Sequence, residues 1–441
     1  MSFKNIIGIV LFLSVLTSCD KYLDVEPKGI VIPKRFEEFD GILNSETNTN
    51  SFPDHLAYIS DDINASFSPI SQDPFANAYF WKEFIDDNND NTPAIWGAFY
   101  RQIYNTNIII NNVQDVSDAN ESRKNHLLGE ALAERAFAHF NLLTVFAKSY
   151  DPATADQLPG VPWVDYTDVV SKTPGRSTLQ ATFNLIIEDL KAAEGYLNSS
   201  RINKTRINKA VAQAMLSRVY LYMGNFEEAK KYADLALQEP HEIIDYNYYY
   251  YPEQEEDPEI LLLRTSTEPS IIFDLTYSKD LLKTFSPGDL RMELFAFDFD
   301  GTFMRSENGM FAYSMYGIRF SELMLTQAEA LAHSDRLDEA LDVLNELRKL
   351  RIGEGLYEAL SSDDKDEVMD WILEERRREL AFGSSRWMDM KRLAHLKLGT
   401  TATRYSADLQ EIVTIDPSDY SFTFEIPSRV LMFNPDMITN F

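Results

Sequence analysis

Two stretches of the sequence share one frame, and their separation constrains the fold more than any other feature. The first, AVAQAMLSRVYLYMGNFEEAKKYADLALQEP, runs from Ala210 to Pro240; the second, RFSELMLTQAEALAHSDRLDEALDVLNELRKLR, starts at Arg319. In the first, Leu216, Ser217 and Tyr220 fall at helical spacing and Gly224 supplies a turn. Phe226, Ala229, Ala236 and Leu237 then follow on a second helix that Pro240 closes. The second stretch repeats the frame with Ala328, Leu331, Leu337, Ala340 and Leu347. Small residues let two helices approach closely, and the large ones fill the groove between them. Ala229 and Ala340 stand 111 residues apart, so long insertions interrupt the helix pairs.

The spacing of each stretch resembles the tetratricopeptide pattern, without its tandem period of about 34 residues. Further helices are expected over Trp96–Asn112 and Arg123–Lys148, where Leu128, Leu132, Phe137 and Phe140 keep helical spacing, and over Val368–Phe382 running into RWMDMKRLAHL. The segment DYNYYYYPEQEEDPEILLLRTSTEPSIIFDLTYSKD has another texture, mixing aromatic, proline and β-branched residues, and so does Tyr405–Pro427. It predicts short strands and ordered loops. The expected fold is mostly α: four tetratricopeptide-type helix pairs interrupted by long insertions, with a loop-rich face carrying short strands. The scaffold covers about 93–240 and 317–395, and the loop-rich face about 50–90 and 241–316.

The N-terminus carries an address. Lys4 is followed by an apolar run from Ile6 to Leu16, then Thr17, Ser18 and the only cysteine, Cys19. Eleven apolar residues are too few to span a bilayer, which takes about 20, so residues 1–18 read as an export signal. The ending Leu-x-Ser-Cys resembles the lipobox of bacterial lipoproteins, which implies that Cys19 becomes the lipidated first residue. Residues 19–36, with Asp20, Asp24 and Glu26, then form an acidic tether, and 37–441 form a single domain. Two or more acyl chains hold a protein firmly where one does so only marginally. The formal charge of −29, from 41 basic against 70 acidic residues, repels phosphate backbones and argues against nucleic acid as a partner.

Longer motifs carry a resemblance to the SusD/RagB family of outer-membrane lipoproteins of the Bacteroidota, from Cys19 to Phe441. They are the leader CDKYLDVEPKG; LGEALAERAFAHFNLLTVFAKSY; GIRFSELMLTQAEAL, with Arg319, Glu322, Ala328, Glu329 and Ala330; ILEERRRELAFGSSRWMDMKRL; and FEIPSRVLMFNPDMITNF. One departure stands out: where the family reads Phe-Glu-Gly-x-Arg, this chain reads Phe382-Gly383-Ser384-Ser385-Arg386. The resemblance implies a non-catalytic lid on a SusC-like TonB-dependent transporter barrel. Anchored by lipid to the outer membrane and facing the exterior, such a lid captures an oligosaccharide, or in some branches an oligopeptide. A tetratricopeptide scaffold that only assembles envelope complexes stays open as a third reading.

Sugar rings stack on aromatic faces while carboxylates and amides bond their hydroxyls. In SQDPFANAYFWKEFIDDNND, Tyr79 and Trp81 are therefore candidate ligand contacts, as are Phe303 and Tyr313 in LRMELFAFDFDGTFMRSENGMFAYSMY. Asp61 and Asp62 are expected either to bond ligand hydroxyls or to hold a structural Ca²⁺, and the pair Asp86-Asp87 has the same character. The run Tyr248–Tyr251 is read as a packing edge, Trp96, Trp371 and Trp387 as core, and Arg376–Arg378 as a face paired with neighbouring glutamates. No other cofactor is expected. Six scattered histidines without H-E-x-x-H, and no nucleophile elbow or P-loop, leave no support for an enzyme or a zinc site.

Overall fold

The computed structural model describes residues 33–45, 52–67, 71–168, 173–266, 275–306, 315–405, 412–415 and 423–441. The export signal, Cys19 and Tyr313 lie outside the described residues. Helix α1 (Phe36–Leu43) follows the tether, and α2 (Pro74–Tyr79) lies in the first loop region. The scaffold comprises α3 (Ala94–Asn112), α4 (Glu121–Phe146), α5 (Leu179–Tyr196), α6 (Lys209–Tyr222) and α7 (Phe226–Ala236). After the long insertion, which holds α8 (Leu290–Phe295), come α9 (Phe320–His333), α10 (Leu337–Lys349), α11 (Lys365–Glu379) and α12 (Ser385–His395). The fold is mostly α, as the sequence frame demands.

The starts of these helices are written in the chain. Asn120, Thr178, Asn208 and Asn225 each accept a backbone N–H of the first turn, at 3.0–3.2 Å, and Asp364 does so for α11. Such caps satisfy amides that have no partner inside the helix. Each scaffold helix packs on its chain neighbour, and α7 packs across the insertion onto α9. Small residues make the pairs close: Ala229, Ala233 and Ala236 are buried, and the Ser217 hydroxyl donates to the Ala229 carbonyl at 2.9 Å. Gly224, at φ +72°, turns α6 into α7. Helix α5 has no counterpart among the helices expected from the sequence, although Leu179, Phe183, Ile186, Leu190 and Ala193 form its buried stripe.

Helix α12 leaves the stack and packs on α4 and α6. Every side chain from Ser385 to Leu393 is buried, so its polar groups must find partners inside. Trp387 donates to the Thr144 carbonyl at 2.8 Å, Lys391 to the Ala147 carbonyl at 2.5 Å, and Arg392 bridges Asp389 and Glu329. Trp96 and Trp387 are core, while Trp371 is half-buried beside a second cluster built on α9, α10 and α11.

Among the described residues, five antiparallel strand pairs stitch the connecting segments together. They are β1 (Ile63–Asn64) with β5 (Thr276–Tyr277), β2 (Pro159–Pro162) with β3 (Arg176–Thr178), β4 (Ile260–Leu262) with β8 (Ile318–Arg319), β6 (Ala296–Phe299) with β7 (Thr302–Arg305), and β9 (Ala402–Tyr405) with β10 (Ile412–Ile415). The first joins the two loop regions, and the third ties the insertion to the start of α9. Gly317 makes that tie possible, since a Cβ there would stand 1.8 Å from the Leu262 carbonyl oxygen. The departure Gly383 has a similar cause. Phe382 takes φ +65°, and a Cβ on Gly383 would come within 2.5 Å of the Met315 carbonyl oxygen.

A buried ionic ring fastens the insertion to the scaffold. Arg291 of α8 bonds Asp289, Glu375 and Glu379; Arg351, just past α10, bonds Glu379 and Glu259; Arg319 bonds Glu259 and Glu379. Arg376 and Arg377 were expected to pair along their own helix. They instead reach Asp389 and Asp61–Asp62, while Arg378 keeps Glu375 and Glu374. Burial alone would raise the Glu375 carboxyl, but the guanidinium groups of Arg291 and Arg378 outweigh it and hold it at about 2. A depressed carboxyl stabilises the fold above its unfolded value, so this contribution is lost as pH falls from 4.5 toward 2. Glu379→Ala leaves three buried guanidinium groups under-compensated and is expected to cost about 3–5 kcal/mol in urea unfolding at neutral pH.

Candidate functional site

The site expected around α2 is turned inward. Tyr79 is 1% exposed, and its ring lies against Phe67, Phe80 and the guanidinium of Arg404. Trp81 is half-buried: its indole donates to the Ile59 carbonyl at 2.8 Å, and its ring covers the same guanidinium at 4.6 Å. The two rings clamp Arg404, which donates to the carbonyls of Ser60, Ile63 and Tyr58. Tyr79 is thus a core residue rather than a ligand platform.

Asp61 and Asp62 are also buried. Arg386 takes both oxygens of Asp61 at 2.5 and 2.6 Å, and Arg377 donates to Asp62 at 2.8 Å. Burial opposes the charge on Asp61, yet the two guanidinium groups hold it well below the usual carboxylate range. Burial and then the Asp61 charge push Asp62 up, against the pull of Arg377. Both oxygens of Asp61 and Oδ1 of Asp62 are thus taken by arginines, and the pair is buried away from the surface where a ligand would arrive. Asp86 accepts the Ala94 amide at the start of α3, and burial pushes its carboxyl up to about 6. Among the described residues, no group of three acidic, histidine or cysteine side chains could hold a metal ion.

Apart from Tyr196, Phe433 and Phe441, the exposed aromatic rings among the described residues lie in the insertion, on two supports that share one anchor. The first support is the run after α7. Asp245 caps a short turn by accepting the Asn247 amide at 3.0 Å, and the Tyr246 amide donates to the Leu350 carbonyl at 2.9 Å. The Tyr246 ring is buried against the Arg351 guanidinium at 3.9 Å. With Tyr246 fixed inward, Tyr248, Tyr250 and Tyr251 stand 70%, 59% and 46% exposed. This corrects the reading of the run as a packing edge: Tyr249 alone of Tyr248–Tyr251 leans in, against Phe295 at 5.1 Å. The Tyr248 hydroxyl donates to Glu354 at 2.9 Å, and that carboxylate pushes the phenol up.

The second support is the β6–β7 hairpin, which begins at the same Phe295. Asp300 and Gly301, at φ +52° and +81°, form the two-residue turn, a conformation that suits the twist of hairpin strands. Alternation decides which rings are free. Phe297 and Phe299 share the outer face, at 45% and 69% exposure, while Phe303 sits opposite Asp298 and packs half-buried on the core. The sequence points to Phe303 and Tyr313 in this segment; the period of two in AFDF is the signal that sets Phe297 and Phe299 outward instead of Phe303. Tyr316 is fully buried.

A cavity of about 330 Å³ opens elsewhere, between α1, α4 and the loop around Arg201. Its basic walls are committed: Arg206 bonds Glu130 and Asp40, Arg123 bonds Glu37, and Arg201 donates to the Leu261 carbonyl. The aromatic surface therefore stands as the candidate binding site.

Two family models match the chain in succession: one described as starch-binding, associating with the outer membrane, over residues 21–221, and one described as the SusD family, over residues 244–440. The chain belongs to the SusD/RagB family. Among curated proteins, the SusD-like protein P2 of Formosa agariphila is 23% identical, covering 90% of this chain and 91% of its own, and SusD-like protein P38 of the same organism is 22% identical, covering 88% and 92%. Among solved structures, a SusD superfamily protein of Bacteroides thetaiotaomicron matches with a TM-score of 0.78 at 21% identity, over 92% of this chain and 99% of that one. A structure described as a putative sugar binding protein of Bacteroides vulgatus matches with a TM-score of 0.77 at 22% identity, over 93% and 99%. At these identities the structural likeness concerns the fold. Among the described residues, no helix is long and apolar enough to cross a membrane.

The division between inner and outer rings is open to measurement. Tyr79→Ala is expected to cost about 3–5 kcal/mol of stability, and Tyr250→Ala or Phe299→Ala no more than about 0.5 kcal/mol, by chemical denaturation of each variant.

Proposed function

We propose that this protein is a cell-surface glycan-binding lipoprotein, held in the outer membrane through lipid on Cys19. It captures oligosaccharide and delivers it to a SusC-like TonB-dependent transporter. The observation that carries this reading is the set of exposed rings, Tyr248, Tyr250, Tyr251, Phe297 and Phe299, on two supports that meet at the buried Phe295. Flat rings in water are costly to keep exposed and suit the apolar faces of pyranoses. Membership of a family with a starch-binding, outer-membrane description supports the same reading. So does likeness in fold to a structure described as a putative sugar binding protein. Catalysis has no part in this proposal.

Phe303 and Trp81, both half-buried, would at most border the ligand, and Tyr313 is retained as a candidate from its place in the sequence beyond the hairpin. The test is a glycan array of the mature lipoprotein with Tyr250→Ala, Phe299→Ala and Trp81→Ala beside it. Binding to one linkage class is expected to weaken about ten-fold in each of the first two variants and to change little in the third. Silence of the wild type across the array, with capture of oligopeptides instead, would overturn the glycan reading. Cys19→Ala is expected to abolish lipid labelling and to move the protein from the outer-membrane fraction to the soluble one, as fractionation would show.

A further inference from the structure

The surroundings of the exposed rings carry charge of one sign. Between His241 and Leu263 the chain has seven acidic residues and no lysine or arginine, and between Glu293 and Met304 it has three acidic residues and again no lysine or arginine. Glu242, Glu253, Glu255, Glu256, Glu293, Asp298, Asp300 and Glu354 are exposed. The arginines beneath are unavailable to a ligand: Arg291, Arg319 and Arg351 are buried and bonded to Asp289, Glu259, Glu375 and Glu379. Lys204 reaches the loop from the side, with its ammonium donating to the Asp257 carbonyl. The Tyr250 phenol registers this field, being raised first by burial and then by Glu242, Asp257, Glu259 and Glu256.

Resting on the capture reading above, we propose that this surface takes glycans without anionic groups, neutral or amino-bearing, and rejects those carrying uronate or sulfate. A sugar stacked on Tyr250 would feel Glu242 and Glu256, whose charges already act on its phenol, and one stacked on Phe299 would lie beside its chain neighbours Asp298 and Asp300; charges this near are only partly screened at physiological salt. An anionic substituent would meet repulsion there, and neither segment supplies a lysine or arginine to receive it. A hydroxyl meets acceptors, and an ammonium meets attraction. Electrostatic complementarity thus acts as selection against the wrong partner more than as affinity for the right one.

The experiment uses the mature lipoprotein in detergent, and oligosaccharides of equal length from neutral glucan, xylan, mannan and galactan, with a glucosamine oligomer, a uronate oligomer and a sulfated galactan oligomer beside them. The glycan that binds is compared by calorimetry with its oxidised form, in which primary hydroxyls have become carboxylates on the same backbone. Where the bound sugar has no primary hydroxyl, a sulfated form replaces the oxidised one. The expected result is at least ten-fold weaker binding of the anionic form at low salt. High salt, or the triple change Glu253→Gln, Glu255→Gln and Glu256→Gln, is expected to narrow that gap. Equal or tighter binding of the anionic form, abolished by Tyr250→Ala, would overturn the charge selection and leave the capture reading standing. Binding that survives both Tyr250→Ala and Phe299→Ala would overturn the assignment of selection to this surface. Absence of binding by any glycan, anionic ones included, would overturn the capture reading itself.

Discussion

The carboxylate of Glu379 is the point on which the rest of the architecture turns. It is fully buried at the end of α11 and receives Arg291 from the insertion, Arg319 from the entry to α9 and Arg351 from the exit of α10. A buried ion pair is weak evidence for net stability, because desolvation offsets much of the attraction. What such a ring supplies is position. Each guanidinium left without its carboxylates would be an uncompensated charge in the core, so one arrangement of insertion and helices satisfies the set. Interrupted helix pairs need such a device, because the described residues of 241–316 contribute little regular structure with which to hold their own place.

The aromatic surface hangs from this ring. Arg351 bonds Glu379 on one side and lies under the buried Tyr246 ring on the other, while the carbonyl of Leu350 receives the Tyr246 amide. Two residues past Tyr246 the rings turn outward. Phe295, which ends the helix bearing Arg291, receives Tyr246 and Tyr249 and starts the hairpin of Phe297 and Phe299. Both supports are therefore fixed by side chains of the same network, and the rings stay free while their bases do not. A rigid base lowers the ordering cost of stacking a sugar.

The scaffold was legible because its signals are local. The Ala229 and Ala340 frames, the asparagine caps and the glycine turn are each read over a few residues, and the structure places helices on them. Helix α5 is legible in principle, since its buried stripe keeps helical spacing and Thr178 caps it. The acidic pair Asp61–Asp62 was not, because its partners Arg377 and Arg386 lie more than three hundred residues away in sequence. Nor was the inward turn of Tyr79, which depends on Arg404 from the far end of the chain. A run such as Tyr248–Tyr251 has the same letters inside or outside; the capped turn at Asp245 and the pull of Arg351 on Tyr246 decide it. Gly383 belongs here too, since the passing backbone of Met315 is invisible from its neighbours.

Charge is distributed by the same logic. Most buried arginines have a buried carboxylate beside them, as around Glu379, Glu130, Glu329 and Asp61, while Arg404 is satisfied by carbonyls and flanking rings. Matched pairs cancel, so the interior contributes little to the formal charge of −29. The excess of acid over base must then be borne by the surface, and it cannot be evenly shared where a segment such as Glu242–Glu259 holds no base at all. The arginines that could have balanced that segment, Arg319 and Arg351, are drawn beneath it to hold the fold, each bonded to its Glu259. Fastening the insertion with internal arginines and leaving an acidic rim about the exposed rings are thus two consequences of one allocation of charge.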